Sequence, residues 1–234
     1  MRLLASLRYD ITFQFRHGFY YAYIFISILY VLILRNLPVG ARPVVTSLVI
    51  FSDTGILGFF FIGAIILLEK AQNTLESLFV TPLRLGEYFI SKVISLTLIA
   101  FIMSSIIMVL VNGIPPFPLP FILGVLLSSV FYTLLGFIIA ARAKNLNEYF
   151  VTSLLCTFIV GIPVLDFFNV IRSPLFYLFP TKASLLLIHG AFKSLPLSGF
   201  IYAIFYLLIW SAVAYYWAYR RFTTYVILKI GGRR

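Results

Sequence analysis

Charge is scarce in this chain. Of its 234 residues only 11% are charged and just 7 are acidic, whereas an average soluble domain is about a quarter charged. That leaves too little polar surface to cover a soluble fold of this length, so lipid has to be the missing solvent. Cysteine occurs once, as Cys156 in an apolar run, which excludes an internal disulfide and reads as a small core or lipid-facing side chain. The two histidines, His17 and His189, are far apart in the chain, so the clustered ligands of a metal centre are missing. There is no GxxxxGK[ST] phosphate loop, and the chain cannot hold ATP in that way. No two carboxylates share one apolar stretch, which argues against a proton relay or a membrane hydrolase. Gly-x-x-x-Gly is absent too, although Gly55, Gly58 and Gly63 thin one apolar stretch and read as close-packing positions. Arg2, Arg8, Asp10 and Arg16 interrupt the first residues, so no cleavable signal peptide is expected.

What is abundant is apolar: 62% of residues are hydrophobic and mean hydropathy is +1.06. Six stretches meet the requirement of about 20 mostly apolar residues for a spanning helix: 18–34, 44–68, 88–111, 121–141, 149–165 and 197–219. Unbroken runs of this kind exclude a barrel, whose strands alternate. Thirteen of the eighteen Lys and Arg fall at the N-terminus, in the second and fourth loops and at the C-terminus, which places both termini in the cytoplasm. The formal charge of +11 sits at the ends of apolar runs, so it reads as topology and anionic headgroups rather than nucleic acid. The expected fold class is therefore all-α, a polytopic membrane protein of six spans. Residues 1–17 form an amphipathic interfacial helix, 18–219 a single transmembrane domain and 220–234 a basic tail.

The segments between the spans carry the distinguishing pattern. Leu3, Leu4, Leu7, Ile11 and Phe15 fit a helix lying in the membrane interface. The second outer loop, 112–120, is too rich in proline to be helical. The last, 166–196, is long yet apolar; it reads as short helices dipping back into the outer leaflet and broken at Pro180, with a loop lying on the headgroups as the other reading. Asp53 is the one acid well inside a hydrophobic stretch, either a wet residue near the outer end or a functional one. Arg35 and Arg42 are candidates to pair with it.

In the second loop, Leu68, Ala71, Leu75, Leu78 and Phe79 recur at helical spacing opposite Glu69, Lys70, Asn73, Glu76 and Ser77, a short amphipathic helix. Thr81 and Pro82 fit the N-cap and first position of the helix that follows. Such a link transmits a push from a cytoplasmic partner to the membrane, or anchors the bundle.

The run Glu69-Lys70-x-x-Asn73-Thr74-Leu75-Glu76-x-Leu78-x-x-Thr81-Pro82, continuing to Glu87, Tyr88 and Lys92, resembles the signature of type-2 ABC exporter permeases. Leu135-Gly136-Phe137, Ala140-Ala141-Arg142 and Phe179-Pro180-Thr181 resemble the fluoroquinolone-type drug export permeases among them. Asn73 stands where the signature has Gly, and Asn tolerates turn geometry almost as well. The resemblance implies a permease subunit that exports a hydrophobic or amphipathic, drug-like or lipid-like substrate, with no catalytic residue, metal or cofactor of its own. ATP and Mg would sit on two separate ATPase subunits, and a second permease chain, identical or related, would complete the pathway in a prokaryotic inner or plasma membrane. Glu69, Lys70, Thr74, Leu75, Glu76, Leu78, Phe79, Thr81 and Pro82 would form or position the coupling helix. Asp53, Phe60 and Phe158 are the candidate substrate path. A secondary transporter without an ATPase and a haem-export permease of cytochrome maturation are the alternatives.

Overall fold

In the computed structural model, residues 2–75, 84–168, 170–171 and 173–227 are described. They are helical throughout apart from turns and loops, with no strand among them. Helix α1 (Arg2–Arg16) meets α2 (Phe19–Arg35) at a 65° bend. The bend is made at Gly18, whose φ of +79° is a conformation open to glycine at no steric cost. Helix α3 spans Arg42–Ala71 and carries one wide π turn, Ser52–Leu57. The others are α4 (Leu85–Asn112), α5 (Pro118–Arg142), α6 (Leu146–Gly161), α7 (Val164–Phe167), a 3-10 turn (Pro174–Leu178), α8 (Pro180–His189) and α9 (Leu197–Phe222), which runs on into a terminal π turn, Thr223–Ile227.

Four of these, α3, α4, α5 and α9, are long and apolar enough to cross a membrane, and the bent pair α1–α2 makes a fifth candidate. The stretch 149–165 is displaced as a helix, which begins at Leu146 and ends before 165. Helix α6 stops at Gly161 after 16 residues, about 24 Å, because Pro163 cannot continue it. Other boundaries move outward. Helix α5 starts at Pro118 rather than at 121, since proline in the first turn forfeits no hydrogen bond. Helix α4 starts at Leu85, where Glu87 folds back to accept from the Arg84 amide at 2.9 Å; the expected cap, Thr81 and Pro82, lies outside the described residues.

Helix α5 is the centre of the bundle, touching α3, α4, α6, α8 and α9. The closest approaches are made through glycine. A Cβ on Gly63 would lie 1.9 Å from the Tyr149 ring, and one on Gly136 would lie 2.3 Å from Ile62. Tyr149 itself donates to the Phe59 carbonyl, so α6 is keyed onto α3 by one buried hydroxyl. Gly63→Ala overfills this contact and should lower the stability of the detergent-solubilised protein by about 1–3 kcal/mol. Gly40→Ala, with open space around the position, serves as the control and should leave the melting temperature unchanged.

Candidate functional site

The sequence reads α1 as an amphipathic helix lying in the interface, but the face it turns inward is largely polar. Asp10, Phe13 and Gln14 are its buried residues, while Leu4, Ile11 and Phe15 face out. The inward face meets a matching stripe on α4, where Tyr88, Ser91, Lys92 and Ser95 recur at i, i+3, i+4 and i+7 and so share one side. Lys92 Nζ lies 2.8 Å from Asp10 Oδ1 and 2.6 Å from Glu69 Oε1. The remaining carboxylate oxygens are also engaged: Ser91 Oγ donates to Asp10 Oδ2 at 2.6 Å, and the Tyr88 hydroxyl donates to Glu69 Oε2 at 2.7 Å. The Tyr88 ring lies 4.8 Å from the ammonium. Lys92 and Glu69 are 0% exposed and Asp10 is 2% exposed. Buried charges persist when they are paired and their lone pairs filled, and this cluster meets both conditions. Gln14 Nε2 extends it with a 2.7 Å bond to Ser95 Oγ.

Lys70, the next residue after Glu69, reaches another element. Its Nζ bonds the carbonyls of Ala140, Ala141 and Ala143 at 2.8, 3.2 and 3.3 Å. Those are the last carbonyls of α5 and the residue after it, where a cation satisfies orphan acceptors and the negative end of the helix dipole. Asn73 then turns the chain with φ +55°, the one non-glycine positive φ among the described residues. Thr74 is half-buried, and Leu75 is 2% exposed in the core. Glu76, Leu78, Phe79, Thr81 and Pro82 lie outside the described residues. Glu69 and Lys70 are expected from the sequence and Asp10 is not, although it is the one acid in the first seventeen residues.

The candidate substrate residues are not brought together. Asp53 is fully buried on the side of α3 facing α2 and α4, where Ser104 Oγ donates to its Oδ2 at 3.1 Å. Phe60 lies on the α6 side, its ring stacked 5.6 Å from Phe150. Phe158 points away from the bundle, 69% exposed. Arg35 and Arg42 do not pair with Asp53; they bond the carbonyls of Leu110, Leu37 and Arg35, because a cation at a helix end finds those acceptors nearer. Between the π turn, α5 and α6 lies an apolar cleft of about 80 Å³ lined by Phe51, Gly55, Phe59, Tyr132, Cys156 and Val160 among others.

The fluoroquinolones export permease protein family matches residues 1–230. The chain belongs to that family. Two relatives named fluoroquinolones export permease protein, from Mycobacterium tuberculosis strains CDC 1551 / Oshkosh and ATCC 25618 / H37Rv, are each 29% identical over 233 residues, 98% of both chains. In this permease the charge cluster gives an asymmetric prediction. Lys92→Met strands two buried carboxylates and should cost about 3–5 kcal/mol, whereas the triple variant Asp10→Asn, Glu69→Gln, Lys92→Met removes the uncompensated charge and should recover most of the loss. Thermal unfolding in detergent compares the two; equal losses would show that packing, not charge, dominates the site.

Proposed function

We propose that the chain is the membrane subunit of an ATP-driven exporter, moving hydrophobic or amphipathic molecules, fluoroquinolones among them, out of a prokaryotic cell. Family membership supports drug export. The observation that carries the ATP-driven part is the double anchorage at the end of α3: Glu69 ties it to α4 and, through the shared Lys92, to Asp10 of α1, and Lys70 ties it to the end of α5. A helix end keyed to three others is suited to pass on a push, because packed elements shift between discrete arrangements rather than deforming continuously. In this reading α2 and α6 complete six spans, the two termini are cytoplasmic and the segment from Pro174 to His189 dips into the outer leaflet. Residues 69–82 seat on an ATPase subunit, two of which serve a pair of permease chains. One observation favours a secondary transporter instead: Asp53, an acid inside the bundle with no cation beside it among the described residues.

Gentle-detergent purification of the native complex decides between these. We expect co-recovery with a subunit carrying a phosphate loop, and drug-stimulated ATP hydrolysis that falls severalfold on Lys70→Met combined with Glu76→Gln. Recovery of the permease alone, with export intact, would overturn the ATP-driven reading. Topology is tested in a Cys156→Ser background, where cysteine placed at Ser77 should label only from the cytoplasm and cysteine placed at Lys182 only from outside.

A further inference from the structure

Asp53 lies about 16 Å along α3 from Arg42, at 1.5 Å per residue, in the second position of the π turn Ser52–Leu57. A π turn is rare and is frequent at functional sites. Its carboxylate is half satisfied. Oδ2 accepts from Ser104, while Oδ1 has no partner although fully buried. The Tyr23 hydroxyl of α2 is spent on the Asp53 carbonyl at 3.1 Å. One turn further along the same face of α2, Ser27 is 4% exposed and its Oγ also lacks a partner. Unpartnered hydroxyls occur elsewhere in the bundle, as at Ser128 and Thr133 on α5, but a neutral hydroxyl is cheap to bury and a carboxylate anion is not. The Asp10–Glu69–Lys92 cluster shows how this protein treats acids it means to keep ionised: a cation and a donor for every oxygen. Asp53 has neither a cation nor a second donor among the described residues.

We propose that Asp53, with Ser27 and Ser104, is the binding site of a small monovalent cation, either a proton or an alkali-metal ion, that neutralises the carboxylate inside the bundle and holds α2 and α4 against the π turn. The proposal is independent of the ATPase partner. The titratable groups facing this region are Tyr23 and Tyr30 on α2 and Tyr132 on α5, with Arg35 and Arg42 beyond them on backbone carbonyls. A ligand bound by the folded state alone raises its stability with concentration. For a chain of this size that is about 3–5 °C in melting temperature per tenfold rise in cation above the dissociation constant.

The test is the melting temperature of the purified permease in lipid nanodiscs. It is titrated with Na⁺ or K⁺ against choline at fixed pH, then with pH in choline alone. Wild type should gain stability in one arm: with the alkali-metal ion, or as pH falls. Asp53→Asn, the neutral isostere, should lose that response while keeping the pH response that other groups contribute. Ser27→Ala should shift the midpoint to higher cation concentration, and it keeps the test alive where Asp53→Asn fails to fold. Wild type, Asp53→Asn and Ser27→Ala responding alike in both arms would overturn the proposal.

Discussion

Lipid cannot solvate an ammonium group, and in this protein that constraint falls on Lys92. Its position two turns into α4 gives it no route to water, so the fold has to bring counter-charges to it. Asp10 and Glu69 do so from elements far away in sequence. Each comes from a different helix, and the cluster is therefore complete only when α1 is docked and the end of α3 is in place. This explains an otherwise odd feature of α1. A helix resting on a membrane turns its apolar face down; here the apolar residues Leu4, Ile11 and Phe15 face out and the inward face is polar, because what lies beneath it is α4 and its lysine.

The same reasoning accounts for the sharp bend at Gly18. With α1 held by Asp10 and Gln14, and α2 continuing along α4 through Tyr23 and its neighbours, the chain has to change direction within two residues. His17 Nδ1 lies 2.9 Å from the Phe13 carbonyl at the end of α1, and Gly18 supplies the left-handed residue. On the other side of the bundle, α5 organises packing by apolar contact instead of charge. Phe89 stacks on Phe137 at 4.2 Å, and glycines at 63 and 136 let α3, α5 and α6 come close enough for Tyr149 to reach a backbone carbonyl. Charge joins the elements at one end, and small residues join them along the middle.

These two kinds of joint were unequally legible in the sequence. Helical class and the positions of the long apolar segments follow from hydropathy alone, since only a helix can satisfy the backbone in lipid. The spacing of apolar residues puts Asn73 on the polar face of a helix, but the helix ends at Ala71 and Asn73 turns the chain, a positive φ that Asn tolerates better than most residues. The charge cluster was not legible, because Asp10 and Lys92 are 82 residues apart and nothing in the local pattern pairs them. The π turn at Ser52–Leu57 has no propensity signature at all; it shows only when α2 and α4 are packed on either side. Helix ends were missed at prolines: Pro118 stands in the first turn of a helix, where its missing amide costs nothing, and Pro163 follows the end of one it cannot continue.

The contrast between the two buried acidic sites bears on which parts of the molecule can move. At Lys92 every charged atom has a partner, so any separation of α1, α3 and α4 exposes charge to lipid and is resisted steeply. At Asp53 one oxygen has no partner, and the helix around it has already yielded its regular hydrogen bonding to a wider turn. A closed network resists displacement, whereas a half-satisfied one is restored by any cation that reaches it. Bending within α3 is therefore easiest to place at the π turn, with the Lys92 cluster as the fixed end. In the proposed reading, function uses this unevenness: a helix satisfied along its whole length would transmit a push without changing shape, and one unsatisfied along its whole length would not transmit it.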